Sequence, residues 1–148
     1  MDNPTCFMQY AAAFEETFKD DDWSRLRQYF TPDAVYTIES ETFPATLRGP
    51  DAIFKGMKKS LDGFDRRFDS RTPAIVDPPV FEGDTMRVGW EVTYAKSGNE
   101  PFVLPGRTTA QFRDGKIAKL TDHYDASVGP AAAQWIRASG LVVDPSYT

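Results

Sequence analysis

The sequence predicts an α+β fold, with helices first and a sheet of long, mostly antiparallel strands after them. Early in the chain apolar residues recur at helical spacing: Phe7, Tyr10, Ala11, Phe14 and Phe18, then Ile53, Met57, Leu61 and Phe64. From Thr72 onward the period becomes two, most plainly in Met86, Val88, Trp90, Val92 and Tyr94. The 148 residues suit one domain, long enough to bury a core without a metal or disulfide staple.

Each element has its own signal. Asn3-Pro4 opens the first helix, Asn3 as N-cap and Pro4 at the first helical position. The acidic run at 20–22 ends it and caps a short second helix, 23–30, which buries Leu26, Tyr29 and Phe30 and stops at Thr31-Pro32. Residues 33–40 alternate as a strand with Ala34, Tyr36 and Ile38 on one face, and 42–48 returns as a short strand. Gly49-Pro50-Asp51 starts the third helix. The strand at 72–84 is interrupted by Pro78-Pro79; two prolines cannot both donate to a ladder, so an edge or a bulge is expected. Residues 85–95 form the next strand, 102–112 and 116–125 a hairpin, and 130–139 a final helix with Gly140 just past its end.

Composition excludes several classes. Net charge is −5, and the basic residues are scattered; Lys55, Lys58, Lys59, Arg66 and Arg67 read as a solvated face, so nucleic acid is not an expected partner. The single Cys6 reads as a packed thiol, and a reducing cytoplasm is the expected location. No stretch approaches the roughly 20 apolar residues of a membrane span. The N-terminus lacks the pattern of a signal peptide. One His and one Cys give no zinc signature, and neither metal nor cofactor is expected.

The segment "KLTDHYD", 119–125, holds the only histidine and follows the hairpin signal "FRDGKI". A two-residue Asp-Gly turn pairs Phe112 with Ile117 and puts Lys119, Thr121 and His123 on the face of Phe112. A type I turn with Gly115 in a bulge pairs Phe112 with Lys116 and puts Leu120, Asp122 and Tyr124 there instead. The second register gathers more apolar groups on one face. It predicts Asp122 inward and His123 outward.

The order of "F.PDAVY", "LRGPDAIFKGM" and "G.T.AQFRDGKIAKLTDHYD" resembles the nuclear transport factor two-like superfamily, and within it the SnoaL-like proteins. The resemblance runs over about 7–125, the expected core of a single 1–148 domain. It implies a cone: a curved, mixed, mostly antiparallel sheet wrapped around the N-terminal helices, with an internal pocket. It also implies a homodimer through the outer sheet face, where Arg87, Glu91, Thr93, Ile117 and Thr121 are expected. Tyr36 matches the tyrosine that orients water in the family's epoxide hydrolases. Its Asn partner is replaced by Ile38, and their inward Arg and Asp by Val88 and Trp90. The general base of the ketosteroid isomerases also falls near Ile38, so neither set is complete. One buried acid in an aromatic pocket is closest to the polyketide cyclases.

The candidate catalytic residues are therefore Asp122 and Tyr36, with Tyr10, Phe14, Met57, Trp90, Thr108 and Tyr124 around a small apolar or aromatic ligand. A buried carboxylate needs donors, a cation or a raised pKa. Asp122 either works as a general acid/base in a cofactor-free cyclase, isomerase or dehydratase, or bonds to Tyr36, Thr108 or Arg107 and ties strands together. In the second case the protein is a ligand binder or dimeric scaffold. Trp135, Ile136 and Leu141 are too apolar for a free tail and should dock over the pocket mouth or on a neighbouring subunit.

Overall fold

In the computed structural model, which describes residues 1–148, helix α1 spans Asn3–Asp20. Its N-cap is Asp2 rather than Asn3: the Asp2 carboxylate accepts from Thr5 N at 2.8 Å. A carboxylate there also suits the positive end of the helix dipole. Asn3 instead donates to Asp84 Oδ1 at 3.1 Å, across the fold. The buried side of α1 is Cys6, Phe7, Tyr10 and Thr17; Phe14 and Phe18 are half-buried and Ala11 is exposed, so the apolar stripe is narrower than the sequence implied. Cys6 is fully buried, its thiol donating to Tyr29 O at 3.7 Å, and burial pushes its pKa up.

Residues Trp23–Tyr29 form a 3₁₀ helix, not an α-helix ending at Phe30. Phe30 already belongs to β1 (Phe30–Glu39), and Thr31-Pro32 lies inside that strand instead of stopping a helix. Pro32 is tolerated because the ladder to the neighbouring strand is interrupted between Phe30 and Val35. There follow β2 (Ala45–Arg48), α2 (Pro50–Gly63), β3 (Ser70–Glu82), β4 (Thr85–Ala95), β5 (Phe102–Arg113), β6 (Lys116–His123) and α3 (Val128–Ser139). The sheet is open and mixed, in the order β2-β1-β6-β5-β4-β3, with β1 and β6 its parallel pair. β3 is an edge strand, and its ladder shifts on either side of Asp77, the second shift spanning Pro78-Pro79, as the prolines required.

The β5–β6 hairpin combines the two registers. Its turn is the two-residue one: Asp114 and Gly115 have φ of 54° and 74°, and Phe112 pairs with Ile117. Positive φ at both turn residues gives the strand twist a hairpin favours. One step further the register shifts, so that Ala110 pairs with Leu120 and Thr108 with Asp122. The extra residue is Ala118, in the strand and not in the turn. Both Phe112 and Ile117 are thereby buried, and Leu120 and Asp122 still face inward. This corrects the placement of Ile117 on the outer face; it is 0% exposed, and Thr121 is only 5% exposed.

The apolar interior forms two clusters. The larger joins α1, the 3₁₀ helix, β1 and α2 to the inward residues of β4, β5 and β6. The smaller gathers Phe64, Phe68, Val92, Tyr94, Phe102, Leu104 and Val128, with Trp135, Ile136, Leu141 and Val143 packed on it. Trp90 and Tyr124 touch both clusters. The C-terminal segment docks on its own chain, against the smaller cluster. Trp135 lies 5.8 Å from Phe102 and 5.5 Å from Phe68, ring to ring, and donates to Glu100 O at 2.7 Å.

Candidate functional site

Asp122 sits where β1, β5 and β6 meet, beside Ile38 in the parallel ladder and Thr108 in the antiparallel one. Tyr36, two residues before Ile38, shares its face and is 3% exposed. Its hydroxyl donates to Asp122 Oδ2. Thr108 Oγ1 donates to Oδ1 at 2.6 Å, and Trp90 Nε1 donates to Thr108 Oγ1 at 2.8 Å. Indole nitrogen can only donate, so the threonine hydroxyl accepts from Trp90 and its own proton goes to the carboxylate. Trp90 reaches that far because its cross-strand partner is Gly106: a Cβ there would stand 2.5 Å from the indole ring.

All donors to Asp122 are neutral, and no arginine or lysine pairs with it. Burial raises its pKa above the ordinary carboxylate range, while the bonds from Thr108 and Tyr36 pull it back in part. The same charge acts on a ring of phenols. Tyr10, Tyr36, Tyr124 and Tyr147 all have raised pKa values, from burial first and from negative charge on Asp122 among the next causes. These tyrosines therefore keep their protons and can act as donors.

The other expected site residues fall as follows. Tyr124 is half-buried between Phe43, at 5.3 Å, and Trp90, at 5.8 Å. Tyr10 is buried against Phe30 at 5.2 Å, edge to face. Met57 is buried in the larger cluster. Phe14 packs on Trp23 at 6.3 Å, with the Arg71 guanidinium 5.9 Å from its ring. Arg107, considered as a partner for Asp122, instead lies 3.7 Å from Asp125. His123 faces outward as expected, Nδ1 2.6 Å from Glu39 Oε2 and Nε2 3.0 Å from Thr109 Oγ1.

The sequence reading missed a second polar cluster. Arg71 donates from Nε to Asp65 at 2.9 Å and from Nη1 to both oxygens of Glu15 at 2.8 and 2.9 Å; Tyr94 donates to Asp65 at 2.7 Å. Burial raises the Asp65 pKa, with Arg71 opposing it. Arg71 pairs with Tyr94 across β3 and β4, so only the register of an irregular edge strand would have aimed it inward. Also missed was Tyr147, whose ring lies 5.7 Å from that of Tyr36 at 76°.

A cavity of about 190 Å³ is lined by Asp77, Gly89, Glu91, Arg107 and His123 among others, and an open depression of about 610 Å³ by residues of β1 and β2 with the loop between them. Neither is lined by Asp122. No group of three or more His, Cys, Asp or Glu side chains is disposed to hold a metal ion. No helix is long and apolar enough to cross a membrane.

An open mixed sheet wrapped on helices is the architecture of the nuclear transport factor two-like cone. The chain belongs to the SnoaL-like domain family, whose description matches residues 11–120. No curated protein matches it. Among solved structures it is similar to TerC co-crystallised with polyporic acid, at 18% identity and TM-score 0.63, covering 88% of this chain and 97% of that one. A nuclear transport factor two-like protein of unknown function from Burkholderia pseudomallei K96243 gives 18% identity and TM-score 0.63, with 93% and 97% covered. A candidate SnoaL-like polyketide cyclase from Jannaschia sp. CCS1 gives 18% and 0.63, with 88% and 93% covered. At these identities the likeness is one of fold.

Proposed function

We propose that the interior around Asp122 takes a small organic molecule and that Asp122 is its general acid/base. The observation that carries this reading is the carboxylate itself: inward, among rings, bonded only by neutral donors, with its pKa raised by burial. Such a group is a stronger base than a solvated Asp and holds a proton long enough to return it. The reaction class that fits is proton transfer next to a carbonyl. Asp122 takes a proton from the carbon beside the carbonyl, and the released electron pair makes the enolate. Tyr36 turns its hydroxyl to the enolate oxygen as charge develops there. In a cyclisation the enolate carbon then attacks a second carbonyl, and Asp122 returns the proton to the new alkoxide. The chain from Trp90 through Thr108 keeps the carboxylate oriented throughout. Tyr10, Met57, Trp90 and Tyr124, with Phe14 beyond them, would supply the apolar wall. That TerC was co-crystallised with polyporic acid supports an organic ligand for this fold.

Replacing Asp122 with Asn tests the role. Turnover of a substrate found by screening carbonyl-bearing aromatic and polyketide-like compounds is expected to fall about 10²–10⁴-fold, the usual worth of a positioned acid/base. Turnover kept within a fewfold would remove the catalytic role. A second reading, a non-catalytic ligand binder, is favoured by one observation: both Asp122 oxygens already accept a bond from the chain. It expects Asp122→Asn to keep ligand affinity, with no turnover to lose.

A further inference from the structure

The last residues of the chain run antiparallel along α2, over a face of that helix stripped of bulk. Asp144 N donates to Gly63 O at 2.8 Å, and Ser60 Oγ donates to Pro145 O at 3.0 Å. Lys59 Nζ donates to Ser146 Oγ at 2.7 Å. A Cβ on Gly63 would stand 2.2 Å from Asp144 O, and one on Gly56 would stand 3.0 Å from Tyr147 O. Backbone can lie this close to a helix only where side chains are missing. The segment thus has a shaped track, and the track delivers one side chain: the Tyr147 ring, edge to face with Tyr36, which itself donates to Asp122.

We propose that the segment 140–148 is a lid whose Tyr147 ring occupies a ligand's place, and that this ligand is a hydroxylated aromatic compound. The inference rests on the reading of the Asp122 interior as a ligand site. The group seated there is a para-substituted phenol, and its surroundings suit one. Tyr36 offers a ring, and the Tyr36 and Ser60 hydroxyls stand beside the Tyr147 hydroxyl as polar partners. Leu141 and Val143 anchor the start of the lid on the smaller cluster, while its bonds to Lys59 lie at the surface, where solvent weakens them. A ligand of the same shape competes with Tyr147 for one seat, so its apparent affinity is reduced by the fraction of time the lid is closed.

The test uses the full-length chain with 4-methylphenol, the side chain of tyrosine as a free molecule, and toluene as its partner lacking the hydroxyl. Calorimetry is expected to show Tyr147→Gly binding 4-methylphenol about tenfold more tightly than the wild type, the ratio for a lid closed nine-tenths of the time. Toluene should bind more weakly than 4-methylphenol. Gly63→Ala, which pushes the segment off its track and keeps Tyr147, should give the same gain; it serves alone if Tyr147→Gly does not fold. Equal 4-methylphenol binding in wild type and variants, or none in any, overturns the lid. Equal affinity for toluene and 4-methylphenol overturns the phenolic class. Binding here needs no chemistry, so an Asp122→Asn variant that kept its turnover would sink the acid/base role and leave this result standing.

Discussion

Asp122 has two protein donors aimed at it and no cation, and that combination makes its protonation the most informative property of the molecule. The bonds favour the charged form; burial disfavours it more, and the pKa rises. The folded chain therefore holds this proton more tightly than the unfolded chain does. Stability is undiminished below the unfolded pKa and declines as pH rises through the folded one. Asn has the same shape and cannot ionise. The difference in melting temperature between Asp122→Asn and wild type should thus move in favour of the variant from about pH 4 to about pH 7. Thermal melts across that range check it, and a difference that is flat or runs the other way would mean Asp122 is fully compensated by its donors. Residue identity alone showed that an inward acid would need partners, and Tyr36 and Thr108 were legible as candidates. The role of Trp90 was legible only as a wall, since its bond to Thr108 depends on a diagonal reach across β4 and β5.

That reach belongs to the pair of strands. Trp90 faces Gly106, and the indole lies flat over a position with no side chain. Gly106→Ala would force the ring from its seat and stretch or break the bond to Thr108. Overpacking of this kind costs about 1–3 kcal/mol, and the change should appear in urea melts together with an altered tryptophan emission spectrum. A variant with wild-type stability and emission would show that the ring tolerates displacement. The strands were the most readable elements, because alternation in 85–95 and 33–40 leaves one choice of face. The β5–β6 hairpin shows where pattern reading falls short. The face of Asp122 followed from apolar content, yet the turn closes in the register that content disfavoured. A bulge at Ala118 reconciles the two and buries Ile117 as well. Turn chemistry set the loop, side-chain burial set the strand, and the bulge absorbed the one-residue conflict. The start of α1 differed for a smaller reason: Asp2 and Asn3 are both good caps, and Asn3 was drawn to Asp84, a partner far away in sequence.

At the scale of the whole molecule the cone was legible from motif order, and the closure of its interior was not. The family match ends at residue 120, while Asp122, α3 and the segment carrying Tyr147 all lie beyond it. Apolar content showed that 130–141 must dock; nothing in the pattern said on what, because the receiving surface is assembled from Phe68, Tyr94, Phe102 and Leu104 on separate elements. Docked in this way, α3 is expected to unfold together with the rest of the chain. Trp135 stacks on Phe102 and packs at a tilt on Phe68, Phe68 packs at a tilt on Tyr94, and Tyr94 donates to Asp65, which Arg71 ties to Glu15 on α1. The last helix is thus linked to the first through rings and one ion network. Trp135→Ala should destabilise the whole chain by about 2–3 kcal/mol, below the usual cost of removing a fully buried Trp because this ring is half-exposed. If the linkage holds, the urea transition stays single and shifts to lower midpoint with its slope unchanged. A variant in which hydrogen exchange accelerates only in α3, with the global midpoint in place, would mean that the C-terminal helix opens on its own as a separate, weaker unit.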